Sequence, residues 1–134
     1  MTTPRFPDWQ ARFGEFTEAR RLMPFAWGPN DCCTFAGDCV LALTGIDPGA
    51  GHRDYSDAIG AARSLAEFGG VCGVGDALFG AVVPPLMARV GDVGMVRNDE
   101  RDCLAVCNGE TWLAPGLAGL VALPLEAASH AWRF

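Results

Sequence analysis

Six cysteines and two histidines carry most of the chemistry open to this sequence. The cysteine best placed to react is Cys32, in the stretch Trp27-Gly28-Pro29-Asn30-Asp31-Cys32-Cys33-Thr34-Phe35. Asn30 and Asp31 are both good N-cap residues. After them Cys32, Phe35, Ala36, Cys39, Val40 and Leu43 recur at helical spacing, and Gly45 supplies a C-terminal stop. Cys32 therefore falls in the first turn of a helix. Unpaired N–H groups and the positive end of the helix dipole favour a thiolate there, which is how a fold builds a cysteine nucleophile. The competing reading is that Cys32 is one more small apolar core residue. Residue types alone leave both open.

A thiol that cuts an amide needs a base to take its proton and pass it to the leaving amine. His130 is the better candidate base, since it lies on or beside the last expected strand. His52 sits in the Gly-rich loop Asp47-Pro48-Gly49-Ala50-Gly51-His52. Each histidine also has an ordinary structural or solvent role open to it. Asp31 adjoins the thiol, but a carboxylate there raises a thiol pKa, so Asp31 reads first as a cap. Metal binding is the third possibility. In a strand, Cys103 and Cys107 point to one face but lie roughly 13 Å apart, too far to share a zinc or a disulfide. The sequence gives no ground for a metal or any other cofactor.

Several elements must position these residues. Pro4 and Pro7 make an extended lead-in to a helix over Asp8–Leu22, with Trp9, Phe13 and Phe16 on one face. The loop before Cys32 is stiffened by Pro29, which biases Gly28 toward extended geometry. A third helix follows the Gly-rich loop, with Ser56 as its N-cap and Gly69-Gly70 as its end. Asp76 caps a short fourth helix carrying Leu78 and Phe79. The pattern then changes to strands: Val93–Arg97, Cys103–Cys107, Glu110–Ala114, Leu120–Leu123 and His130–Phe134. Asn108-Gly109 is a hairpin signal. Pro124 opens a helical turn before the last strand. Helices first and an antiparallel meander after is an α+β order in one domain, residues 1–134.

Composition narrows the function classes. Half of the 134 residues are hydrophobic, as in a globular chain. The net charge of −6, with no basic cluster beyond Arg20-Arg21, argues against nucleic acid. No apolar run approaches the roughly 20 residues needed to cross a membrane. Residues 1–7, with no apolar h-region, do not read as a signal peptide. A reducing cytosol and free thiols are the expectation.

The stretch Asp31-Cys32-x-x-Phe35 after a Gly-containing loop resembles the nucleophile segment of the NlpC/p60 cysteine peptidases, papain-like enzymes that cut cell-wall peptides. A closer likeness is to small phage and prophage proteins assigned to that superfamily. It rests on Trp27-Gly28-x-Asn30-Asp31-Cys32, Leu43-Thr44-Gly45, Gly91-Asp92-Val93, Gly119-Leu120 and Ala131-Trp132-Arg133, in consistent order. The resemblance implies N-terminal helices packed on the sheet and Cys32 as nucleophile. It marks Trp27, Asn30 and Asp31 as candidate binding residues beside it. Gly91-Asp92 matches the pair before the first core strand, here read as a turn with a capping aspartate. The family's catalytic histidine opens the second core strand, and Cys103 occupies that position. Such a protein would be catalytically impaired and would serve tail assembly or binding. An active peptidase or amidase is the alternative. Phage structural proteins or cell-wall peptides would be its partners, in the bacterial cytoplasm or on the virion. The pleat groups Cys103, Ala105 and Cys107, and this small-residue face is expected beneath the Cys32 helix, with Cys103 aimed at Cys32.

Overall fold

A computed structural model describes residues 3–134. Its four α-helices precede the whole of the sheet: α1 (Trp9–Arg20), α2 (Cys32–Thr44), α3 (Ala58–Phe68) and α4 (Val71–Leu78). The strands are β1 (Ala81–Val83), β2 (Val93–Asn98), β3 (Arg101–Cys107), β4 (Thr111–Gly116), β5 (Gly119–Pro124) and β6 (Ala128–Arg133). They form one antiparallel sheet in the order β1-β6-β2-β3-β4-β5. The architecture is α+β. The meander runs from β2 to β5. After the short 3₁₀ turn Leu125–Ala127, β6 crosses back to pair with β2 on its other side.

α2 forms where the spacing predicts. Asp31 caps it through a reciprocal pair with Thr34, and Gly45 ends it at φ 79. α3 is capped by Asp57 rather than Ser56: the Asp57 carboxylate accepts from the Gly60 N–H, 2.7 Å. α4 starts at Val71, so Asp76 lies within it instead of capping it. Its indole partner explains that placement, since the Trp132 Nε1–H donates to Asp76, 3.0 Å. β1 is a three-residue edge strand that the sequence reading missed before Pro84-Pro85. Gly28 is not extended either. Its φ is +92, and a Cβ there would sit 2.7 Å from the Tyr55 carbonyl oxygen.

The sheet separates two apolar clusters. On the helix side Phe35, Ala36, Val40 and Leu43 of α2 pack with Leu104, Val106, Val93 and Trp132. On the far side Ala105, Cys107, Val96 and Ala131 pack around Trp112. This reverses the expected faces of β3: Leu104 and Val106 meet α2, whereas Ala105 and Cys107 face away from it. The physical reason is Trp112, wholly buried, which needs small neighbours on its own side. Gly94 shows how small, since a Cβ there would lie 2.6 Å from the Trp112 ring. On the helix side the larger Leu104 and Val106 fill the space against α2.

Candidate active site around Cys32

The loop before Cys32 is held by buried polar side chains. Ala26 and Asn30 exchange backbone hydrogen bonds, 3.2 and 2.9 Å, closing a tight turn over Trp27-Gly28-Pro29. The Asn30 amide donates to the Met23 and Pro24 carbonyls at 3.3 and 3.0 Å and accepts from Arg20, 2.9 Å. Arg20 is itself paired with Asp38 of α2. One Asp31 oxygen accepts from the Thr34 N–H, 2.9 Å. The other accepts from the Gly28 N–H, 2.9 Å, and from the Tyr55 hydroxyl, 2.7 Å. Asn30 and Asp31 are therefore buried, fully partnered and positional. Of the three candidate binding residues, Trp27 reaches the cleft with its ring edge-on to Phe25 at 4.8 Å, and Asp31 contributes to the wall beneath it.

Removal of the Asp31 side chain takes away the cap and leaves the Gly28 N–H and the Tyr55 hydroxyl without their acceptor. Asp31→Ala is expected to cost about 2 kcal/mol. Tyr55→Phe, which removes one neutral partner, should cost about 1 kcal/mol or less. Urea unfolding of the two variants checks the order, and equal midpoints would assign no capping role to Asp31.

Cys32 is the first residue of α2, partly exposed, with its sulfur against β3. β3 pairs with β4 only at Val106↔Leu113 and Cys107↔Trp112. Ladder alternation aims the Leu104 N–H toward β4, beyond the end of that pairing. From there it favours the charged form of Cys32. The adjacent Cys33 thiol, first, and then the Leu104 N–H hold the Cys32 pKa below its ordinary value, against burial and the Asp31 charge. Cys33 moves the other way, well up, because it is the proton-bearing partner of Cys32 and is itself desolvated. Cys103 lines the same cleft and is pushed up to about 12 by burial, with the Cys32 charge adding to the rise. Its side chain packs toward the Trp112 cluster, as the reversed faces of β3 require.

The cleft holds about 1230 Å³ and lies between α2, α3, α4 and the β2–β3 turn. His52 is in its wall, with its ring edge-on to Phe68 at 5.0 Å. His130 is not. Its Nδ1 shares a hydrogen bond with the Ser129 hydroxyl, 2.9 Å, and its exposed ring stacks on Trp132 at 6.1 Å. The expectation that His130 is the better substitute base is thereby corrected, because β6 enters the sheet beyond β2, away from the cleft. No histidine bonds Cys32 among the described residues. Sequence reasoning missed Tyr55, whose hydroxyl burial and the Asp31 carboxylate keep protonated by raising its pKa. The only advance signal was its place just before a helix. No group of three or more His, Cys, Asp or Glu side chains among the described residues could hold a metal. No helix among them is long and apolar enough to cross a membrane.

Fold and site together define an α+β domain with a thiolate-favouring cysteine at a helix N-terminus, set against the sheet beside a large cleft. The chain belongs to the family described as Domain of unknown function (DUF6950), whose model matches residues 4–134. A comparison with curated proteins found no match to the chain.

Proposed function

We propose that this chain is a small phage or prophage protein with an NlpC/p60-like, papain-like fold that binds a peptide segment in the Cys32 cleft without cutting it, in tail assembly or a related binding role. One observation carries the reading. A helix-start thiol is present, but the residue at the expected histidine position, Cys103, is a thiol held in its protonated form. A protonated thiol takes no proton from Cys32 and is a poor donor to a leaving amine. Loss of the general base costs a factor of about 10² to 10⁴ in rate. A second reading, an active peptidase or amidase on cell-wall peptides with Cys32 as nucleophile, is favoured by one fact: His52 shares the cleft.

Wild-type protein, Cys32→Ala and His52→Ala are incubated with cell-wall peptides and the products followed by mass spectrometry. No cleavage is expected from any of them, while the intrinsic tryptophan fluorescence, to which Trp27 in the cleft contributes, responds to a bound peptide. Wild-type cleavage abolished by Cys32→Ala would overturn the binding reading. Its additional loss in His52→Ala would establish the hydrolase with His52 as base.

A further inference from the structure

We propose that the Cys32 cleft holds the apolar chain of an acyl thioester, and that Cys32 takes the acyl group from it by thioester exchange. The proposal rests on the preceding reading only in treating the cleft as a ligand site.

The wall opposite Cys32 is apolar. Ala58, Ala61, Ala62 and Leu65 recur along one face of α3, and all four line the cleft. An amphipathic helix ordinarily buries such a face against the core. α3 instead packs chiefly on α4, and Ala61 is the one residue of α3 that is buried. Val74 and Phe79, both buried, continue the wall inward. Two charged residues of the lining have partners of their own, Asp31 in the Tyr55 hydroxyl and the Gly28 and Thr34 N–H groups and Arg53 in Asp38 and Asp47. The others, Asp99, Arg101 and Asp102, are exposed at the rim around the β2–β3 turn. A cavity of about 1230 Å³ with this division is larger than most small-molecule sites and suits a long apolar ligand with a polar head at the mouth. Each methylene buried there is worth up to about fourfold in binding. A charged chain would be desolvated against the same wall with no partner.

The chemistry at Cys32 selects the acyl donor. An amide cannot expel its amine without a proton donor, and His52, the one histidine in the cleft wall, makes no hydrogen bond to Cys32 through which to supply one. A thioester expels a thiolate, whose conjugate acid has a pKa near 8.5, so no donor is needed. The Cys32 thiolate attacks the carbonyl carbon. A new carbon–sulfur bond forms to Cys32 as the bond to the departing sulfur breaks, and the released thiolate takes its proton from water. With no base aimed at a water, the Cys32 thioester persists.

The protein is incubated with acetyl, hexanoyl and decanoyl thioesters of N-acetylcysteamine, and acylation is read by intact mass and peptide mapping. The decanoyl group is expected on Cys32 at least about tenfold faster than the acetyl group, removable by hydroxylamine and absent from Cys32→Ala. Ala61→Trp should bring the decanoyl-to-acetyl ratio toward one. Ala62→Trp, at an exposed position of the same wall, serves if the buried substitution unfolds the chain. Equal rates for short and long chains, or acylation on Cys33 or Cys103 in preference to Cys32, would overturn the proposal. Cleavage of cell-wall peptides by the same preparation would remove the binding reading and the persistence of the Cys32 thioester, while a chain-length preference in acylation would still stand for the cleft. Absence of a chain-length effect would remove the acyl site alone.

Discussion

Asp92→Ala is expected to lower the stability of this fold by about 3–5 kcal/mol, the cost typical of removing one partner from a buried ion pair. The Asp92 side chain is wholly shielded from solvent, and its two oxygens gather partners from three parts of the chain. Arg133 of β6 binds both oxygens, through Nε at 3.1 Å and an Nη at 2.8 Å. Arg5 approaches at 3.5 Å from the N-terminal segment, where its guanidinium also donates to the Val90 carbonyl, 2.8 Å, and lies 4.5 Å over the Trp9 ring. The Arg89 N–H closes the turn onto Asp92, 2.8 Å. The aspartate thus ties the first residues, the last strand and the entry to β2 at one point. The carboxylate also holds the Arg133 pKa above its ordinary value. Alanine leaves two guanidinium groups around an apolar site. Arg133→Ala should cost less, because Asp92 keeps Arg5 and the Arg89 N–H. Urea unfolding followed by far-ultraviolet circular dichroism measures both, and a shift in Asp92→Ala below that of Arg133→Ala would contradict the assignment. Domains of this size are stable by roughly 5–15 kcal/mol, so the effect is large enough to move the midpoint far.

Asp92 also shows what was legible in advance. As a turn-capping residue that serves the fold, it could be read from Gly91-Asp92 before an apolar run. Its ion cluster could not, because Arg5 and Arg133 are distant in sequence and each resembles any other surface arginine. The same division holds at the site. Asp31, Cys32 and Gly45 were legible because cap, helix start and stop are local chemistry. His52 and Tyr55 were not, because the loop bearing them reaches the cleft only through tertiary packing. β3 is the sharpest case. Alternation correctly divides Cys103, Ala105 and Cys107 from Leu104 and Val106, yet alternation has no sign. Which face meets α2 was decided by Trp112, a residue on the neighbouring strand. β6 was misplaced for a similar reason: a strand's pattern marks its existence but not its neighbour, so His130 fell outside the cleft.

At neutral pH iodoacetamide should alkylate Cys32 more than about tenfold faster than Cys103. The two thiols share a cleft and are both partly exposed, so access alone does not separate them. Charge does. Cys32 is held below a thiol's ordinary range and Cys103 is pushed up to about 12, so Cys32 carries much the larger thiolate fraction at pH 7. The more acidic thiolate is the weaker nucleophile, but with a Brønsted slope near ~0.45 the gain in thiolate fraction outweighs that loss. Cys33 should also lag, since its pKa moves up as that of Cys32 moves down. The pH dependence has a definite sign. Labelling of Cys32 should persist below the range of a free thiol and fall about tenfold per pH unit only beneath its own lowered pKa. Asp31→Asn should carry that curve to still lower pH, because the Asp31 charge opposes the thiolate while an asparagine can keep the helix cap. Peptide mapping of the alkylated protein across a pH series reads all three effects. Comparable labelling of Cys32 and Cys103, or a Cys32 curve that matches a free thiol, would mean that the helix start and the Leu104 N–H do not stabilise the thiolate, and Cys32 would then be a core residue.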